Sequence, residues 1–348
     1  MSSAQQPRPA APLEARGTSR AVQAPDQAHG LSAKAWWPWL KRGFTLGFFS
    51  LVAYLLITQA RQIEWREVMN AIANYPLGSL FAAVALAITS LALYSSFDLL
   101  GRRYTGHHLS VRAVMTVTFV SYVFNLNLGS LVGGVAFRYR LYSRLGLAWG
   151  TITRVMSLSM LTNWLGYILL AGLVFSWRPL ALPPSWKIDS EGLHYVGFAL
   201  LALALAYLAL CAFSGRRSFS VRGHELSLPS FRLALLQVSM GVANWLVMSC
   251  IIFVLLQQQI AFPVVVSVLL VAAIAGVITH VPAGLGVLEA VFVALLAHQL
   301  PTHELLAALV VYRLIYYLGP LAVATLVYAA TEARANNLAA AQSAQKLN

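Results

Sequence analysis

Three features of the apolar part of this chain could carry chemistry: a glycine-rich run leading into Arg138 and Arg140, the carboxylate of Glu289, and the guanidinium of Arg313. Arg138 and Arg140, interleaved with Tyr139 and Tyr142, follow directly on a glycine-rich run from Gly129 to Gly134. Arginine presents a planar fork suited to bidentate recognition of a phosphate, and tyrosine is at home at headgroup depth in a bilayer. Plain anchoring of a positive loop with interfacial tyrosines explains the same residues. Glu289 lies three residues beyond Gly286 in an apolar arm. A carboxylate inside a membrane costs a few kcal/mol on insertion scales, so it faces a cavity or a partner, unless the turn before it sits at the interface. Arg313 lies deep in a further apolar run, with Tyr312, Tyr316, Tyr317 and Pro320 around it. It needs a counter-charge, and Glu289 is the candidate; helix spacing puts Tyr316 and Tyr317 on the adjoining faces. The bland alternative is an ion pair that only locks two helices. His280, just before Pro282, is a weaker candidate.

The elements that must position these residues are membrane helices. The chain has 348 residues, 59% hydrophobic and 10% charged, with a mean hydropathy of +0.70. A soluble domain carries about 25% charged residues, so a water-facing globule is excluded. Apolar segments recur near 43–60, 77–98, 111–134, 151–177, 193–213, 231–257, 263–281, 283–299 and 305–330, each near the ~20 residues a helix needs to cross a bilayer. The expected fold is an all-α integral membrane protein of about six to eight spans. The net charge of +13 gathers between the apolar segments, which points to topology and anionic headgroups, not nucleic acid. Cys211 and Cys250 sit in or beside apolar segments and imply neither disulfide nor metal framework. Walker, dinucleotide, HExxH, CxxC and GxSxG motifs are absent; no cofactor is expected, and transport would not be driven by ATP through this chain alone.

Residues 1–42, rich in Ala, Pro, Gln and Ser and carrying six basic against two acidic residues, read as a disordered cytoplasmic tail. Residues 43–330 read as the membrane domain and 331–348 as a short cytoplasmic tail. Loops 61–76 and 178–192 balance their charges and read as external; loops 99–112 and 214–232 are basic and read as cytoplasmic. Two apolar segments, 111–134 and 151–177, separate a cytoplasmic from an external loop, where an odd number of crossings is required. The simplest repair is that 111–134 enters and turns back, broken at Asn125, Asn127, Gly129, Gly133 and Gly134; such backbone is tolerated only inside protein or a wet cavity. Segments 263–281 and 283–299 are likewise joined by a break at Pro282, Gly284 and Gly286, either a tight turn between two spans or the tip of a second hairpin. One break from each side is the signature of an inverted-repeat transporter. A short echo accompanies it: Asn163, Trp164 and Leu165 against Asn244, Trp245 and Leu246.

Three of these runs, in order, carry a family resemblance. Residues 127–147, including Arg138, Tyr139, Arg140 and Tyr142, resemble the glycine–RYRLYS signature in the transmembrane part of bacterial lysylphosphatidylglycerol flippase/synthetases of the MprF type. Residues 280–289 resemble that family's PGGLGxxE segment, with Ala283 where a glycine is common. Residues 312–320 resemble its YRxxYYxxP segment. The similarity spans about residues 40–330.

The resemblance implies a multi-span fold with re-entrant pieces in the bacterial inner membrane, both termini cytoplasmic. It implies movement of anionic or aminoacylated phospholipid between leaflets, with Arg138, Tyr139, Arg140, Tyr142, Glu289, Arg313, Tyr316 and Tyr317 at the substrate. The aminoacyl-transferring domain of the two-function members does not follow the membrane part here, so the expectation is a translocase and not an enzyme. The alternative is a non-transporting partner that presents lipid to a separately encoded synthase or glycosyltransferase.

Overall fold

Apolar runs of this length can satisfy their backbone in a bilayer only as helices or closed barrels, and this chain takes the helical solution. The computed structural model describes residues 65–177, 180, 182, 189–214, 218–221, 224–281 and 284–345. The tail 1–42, the apolar run 43–60, most of loop 178–192 and Pro282 lie outside the described residues.

The elements run α1 (Trp65–Ala73), α2 (Leu77–Ser95), α3 (Phe97–Thr105), α4 (Val111–Leu128), a π-helix π1 (Ser130–Ala136), α5 (Phe137–Arg144), α6 (Trp149–Trp177) and α7 (Ser190–Phe213). They continue with β1 (Ser218–Val221), β2 (His224–Ser227), α8 (Phe231–Leu255), α9 (Phe262–Thr279), α10 (Val287–Leu296), α11 (Thr302–Arg313), a second π-helix π2 (Leu314–Leu318) and α12 (Gly319–Gln345). Among the described residues, 7 helices are long and apolar enough to cross a membrane. The chain is an all-α multi-pass membrane protein. One small exception interrupts it: β1 and β2 pair antiparallel, Ser218 opposite Ser227, in the basic loop between α7 and α8.

Local signals place the helix ends. The side chains of Ser110, Asp189 and Ser230 accept hydrogen bonds from the amides of Ala113, Gly192 and Leu233, at 3.2, 2.8 and 3.3 Å, satisfying donors that a helix start leaves free. Gly106, at φ 68°, closes α3 in the left-handed conformation, the usual glycine stop.

Long helix, helical hairpin, long helix: this order occurs twice. In the first set α2–α3 leads to the hairpin α4/π1–α5 and then α6. In the second, α8 leads to the hairpin α9/α10 and then α11–π2–α12. The first helices of the two sets run antiparallel, because Ser79 meets Gln257 at one end while Ser90 meets Asn244 midway. The two sets therefore run in opposite senses, as an inverted repeat requires. Helix α7 joins them at the lipid-facing edge: 17% of its apolar window is buried, against 56% for α6.

Both hairpins follow from the breaks in the sequence. Gly129 takes φ 86° and ψ 167°, a conformation open to glycine and costly for other residues. From there π1 runs back along α4 so closely that a Cβ on Gly133 would collide with the Phe124 backbone, and one on Gly134 would lie 3.1 Å from Asn125 Oδ1. The second hairpin turns between His280 (φ 53°) and Gly286 (φ 77°), with Gly284 also left-handed. Its return arm α10 has 10 residues, roughly 15 Å long against a hydrocarbon core of about 30 Å. It is too short to cross alone, which favours a hairpin over two full spans.

Two features of the last span go beyond what hydropathy gives. The run 305–330 is not one uniform helix: π2 widens it just ahead of Gly319 and Pro320. Pro320 lacks the N–H that would bond the carbonyl four residues back, and its ring needs room there. Beyond the span, residues 331–345, read as a tail, continue α12 as helix.

Candidate functional site

The tips of the two hairpins meet on one turn of the last span. Arg313, the last residue of α11, donates its Nη2 to the Gly284 carbonyl at 2.8 Å and to Glu289 Oε2 at 3.0 Å, while its Nε bonds Glu289 Oε1. The Glu289 pairing expected from charge alone is present, in the bidentate form available to arginine. Four residues on, the Tyr317 ring lies 5.2 Å beneath the same guanidinium, within cation–π range. Tyr317 is reached from the other hairpin too: Asn127 donates its side-chain amide to the Tyr317 carbonyl at 3.4 Å and to the Val123 carbonyl at 2.8 Å. The π-helix thus supplies a carbonyl that a side chain from outside can bond, a recurrent use of such irregularities at functional sites. The pair is only partly shielded, with side-chain exposures of 13% for Arg313 and 19% for Glu289.

Behind this turn lies a buried polar cluster. The Tyr316 hydroxyl is 2.8 Å from Ser90 Oγ and 3.1 Å from the Tyr122 hydroxyl, and Ser90 Oγ donates to Asn244 Oδ1 at 2.8 Å. Tyr122 stacks on Tyr94, centroids 3.4 Å apart. The cluster draws on α2, α4, α8 and π2, where an unpaired hydroxyl would be costly. Tyr316, expected at the substrate, is fully buried and joins these elements through its hydroxyl.

The arginine–tyrosine run on α5 divides in two. Arg138 and Tyr142, expected at the substrate, are buried and committed elsewhere. Arg138 Nη2 donates to Asp98 Oδ1 and to Ser159 Oγ, both at 3.2 Å, and the Tyr142 hydroxyl donates to Asp98 Oδ2 at 2.8 Å. The reason is that α5 packs its Arg138–Tyr142 face against α3 and α6, a helix repeat that sequence spacing cannot orient. Tyr139 and Arg140 lie on the other side. Tyr139 shares a hydrogen bond of 2.6 Å with Thr153. Arg140 is 54% exposed and, together with Arg144, pairs with Glu332 of α12. Two cations against one carboxylate leave a positive surface. Between these elements, α2, α4 and π2–α12 enclose an apolar groove of about 750 Å³, lined by Leu91, Phe119, Ile315, Pro320 and Val323 among others.

The remaining hinge residues fall where the breaks occur: Asn125 at the α4 turn, Gly284 and Gly286 in the second. His280 bonds the Ile278 carbonyl at 2.9 Å and stays local. Among the described residues no group of three or more His, Cys, Asp or Glu is placed to hold a metal ion. Sequence reasoning passed over Asp98, Ser90, Tyr122, Asn244 and Glu332. Asn244 belongs to the short echo and Asp98 is an acid at a span end; those were the signals.

Comparison with known proteins agrees with this architecture. Residues 43–324 match the family described as the lysylphosphatidylglycerol synthase TM region, and the chain belongs to that family. It is 46% identical to the inner membrane protein YbhN of Escherichia coli over 309 residues, 88% of this chain and 97% of that one. It is 31% identical to an uncharacterized protein of Synechocystis over 77% of this chain and 84% of the relative. A more distant match, 22% identical, is a phosphatidylglycerol lysyltransferase of Staphylococcus haemolyticus, of which 33% is covered. With seven apolar helices and an inner-membrane relative, the chain is a multi-pass inner-membrane protein.

Proposed function

We propose that this member of the family moves phospholipid between the leaflets of the inner membrane, as a flippase- or scramblase-like translocase. The observation that carries the reading is the convergence of both hairpin tips on Arg313 and Tyr317. An antiparallel pair of broken hairpins meeting on one irregular turn is the arrangement from which alternating access is built. Its two arms can separate without unfolding a span.

In this reading both termini are cytoplasmic, and Arg140 with Arg144 receives the lipid phosphate at the cytoplasmic end. The acyl chains follow the apolar groove beside π2, and the headgroup passes the half-buried Glu289, Arg313 and Tyr317. Opening exchanges the Arg313 bonds to Glu289 and Gly284 for bonds to the passing headgroup, so the two states differ by a few kcal/mol at most. Arg138, Tyr142 and Tyr316 act by holding the arms in place. The family description and the lysyltransferase relative both name a phosphatidylglycerol headgroup, which makes anionic and aminoacylated phosphatidylglycerol the first substrates to try.

The test is leaflet exchange of fluorescent phospholipids by the purified chain in liposomes, with Arg313→Gln alongside. Headgroup-dependent exchange that falls at least tenfold in the variant supports the translocase. No exchange from folded protein under any gradient favours instead a partner that presents lipid to a separately encoded synthase or glycosyltransferase.

A further inference from the structure

Tyr312, the residue before Arg313 at the end of α11, is 1% exposed, and its hydroxyl has no hydrogen-bond partner among the described residues. Other buried tyrosines show what is usual in this fold. Tyr316 and Tyr122 bond each other, Tyr142 donates to Asp98 Oδ2 at 2.8 Å, and Tyr167 donates to the Leu270 carbonyl at 3.0 Å. A hydroxyl taken out of water and left unpaired costs its full desolvation, and such a group in a native fold calls for a specific cause. For packing alone phenylalanine would serve, with the same ring and none of this cost.

The surroundings of Tyr312 say when its hydroxyl finds a partner. Its ring stacks on Tyr316, centroids 5.4 Å apart and planes 9° apart, and meets Tyr317 edge to face at 5.8 Å. Tyr317 therefore touches both Tyr312 and the Arg313 guanidinium. The two sides of this stack are held differently. Tyr316 is tied to Ser90 and Tyr122 inside the bundle. Tyr317 and Arg313 are tied to the hairpin tips, through Asn127 on one side and Gly284 with Glu289 on the other. Parting of the tips releases Tyr317 and Arg313 while Tyr316 stays in place. Tyr312 is the next ring behind, and it then stands beside a guanidinium that has given up its carboxylate.

The chemistry of the two groups selects what they meet there. A guanidinium only donates, and a phenol can donate as well as accept. Every phospholipid carries a phosphodiester, whose oxygens only accept, whereas hydrogen-bond donors occur on some headgroups and not on others. A charged oxygen is also the acceptor that gains most from both donors. We propose that Tyr312 donates its hydroxyl to the phosphate of the crossing lipid, next to Arg313, when the hairpin tips part from this turn. Tyr312 is then a specificity residue, selecting lipids by their phosphodiester and not by the substituent on it. The inference rests on the translocase reading and adds to it the group that is recognised inside the membrane.

The experiment compares the parent chain with Tyr312→Phe and Tyr167→Phe, in leaflet exchange in liposomes and in thermal melting in detergent. The fluorescent probes are phosphatidylglycerol, phosphatidylethanolamine and glucosyl diacylglycerol, the last without a phosphate. Tyr312→Phe loses no bond of the closed fold, so it should melt at or above the parent temperature. Its exchange of both phospholipids should nevertheless fall about tenfold, the loss of one hydrogen bond to a charged group, and its exchange of the glycolipid should equal the parent's. Tyr167→Phe gives up its bond to the Leu270 carbonyl, so it should melt lower and exchange at the parent rate. No phospholipid exchange by the parent overturns the translocase reading and this inference with it. From a parent that does exchange, an undiminished phospholipid rate in Tyr312→Phe overturns this inference alone, as does an equal loss for the glycolipid. Melting of Tyr312→Phe as low as that of Tyr167→Phe would show a hydroxyl already bonded in the closed fold, which also overturns it.

Discussion

Arg138 and Asp98 form a closed pair, 3.2 Å apart with side-chain exposures of 2% and 0%. It ties α5, the returning arm of the first hairpin, to α3 at the end of the first span. Because neither charge reaches water, removing one strands the other, which is a larger penalty than the net worth of the pair.

Arg138→Met and Asp98→Asn should therefore each destabilise the protein by about 3–5 kcal/mol, while the double variant recovers much of that loss. Thermal unfolding in detergent reads the cycle. Strictly additive losses would mean that the two residues do not act together.

Arg140 should behave in the opposite way. It is exposed and shares Glu332 with Arg144, and surface pairs of this kind add little to stability. Arg140→Gln should leave the melting temperature unchanged and reduce the initial exchange rate of anionic and zwitterionic phospholipid alike, since both carry the phosphate. An unchanged exchange rate for both would remove its phosphate-receiving role.

The architecture was legible because hydropathy counts apolar residues and the loops carry their charges openly. The hairpin of 111–134 could be read because an extra crossing broke parity, and the Glu289–Arg313 pair because two lone charges in apolar arms require each other. What could not be read was the rotation of α5 about its axis. Arg138 and Arg140 are two residues apart, and helix geometry sends such neighbours to different faces; one is buried on Asp98, the other exposed. The Ser90–Tyr316–Tyr122 cluster was hidden for a related reason. Its members come from four elements and each looks like an ordinary span residue, so only tertiary packing assembles them.

Close helix packing gives a third prediction. Gly166 on α6 and Gly241 on α8 face each other so tightly that a Cβ on either would land on the partner's backbone, whereas a Cβ on Gly78 would meet nothing within 4 Å. Small residues permit such approach between membrane helices. Gly241→Ala should cost ~1–3 kcal/mol by overpacking, and Gly78→Ala should be neutral. Melting curves of the two variants side by side check this, and equal behaviour would contradict the close approach.

The buried tyrosine cluster gives a fourth. Tyr316→Phe removes the hydroxyl that joins Ser90 to Tyr122, but Ser90 keeps Asn244. The expected loss is modest, about 0.5–2 kcal/mol. Denaturation in detergent measures it; a loss as large as that of Arg138→Met would show that the cluster is more tightly coupled than its distances indicate.

The central claim, that the hairpin tips must part from the Arg313–Tyr317 turn for lipid to cross, is tested most directly by tethering them. In a chain with Cys211→Ser and Cys250→Ser, the pair Asn127→Cys and Tyr317→Cys can be bridged by a short thiol-reactive linker and released by reductant. Leaflet exchange in liposomes by the unbridged variant, slower than the parent's for want of the Tyr317 ring, should stop when the bridge forms and return to that slower rate on reduction. Exchange at the unbridged rate through a fully bridged protein would contradict the account.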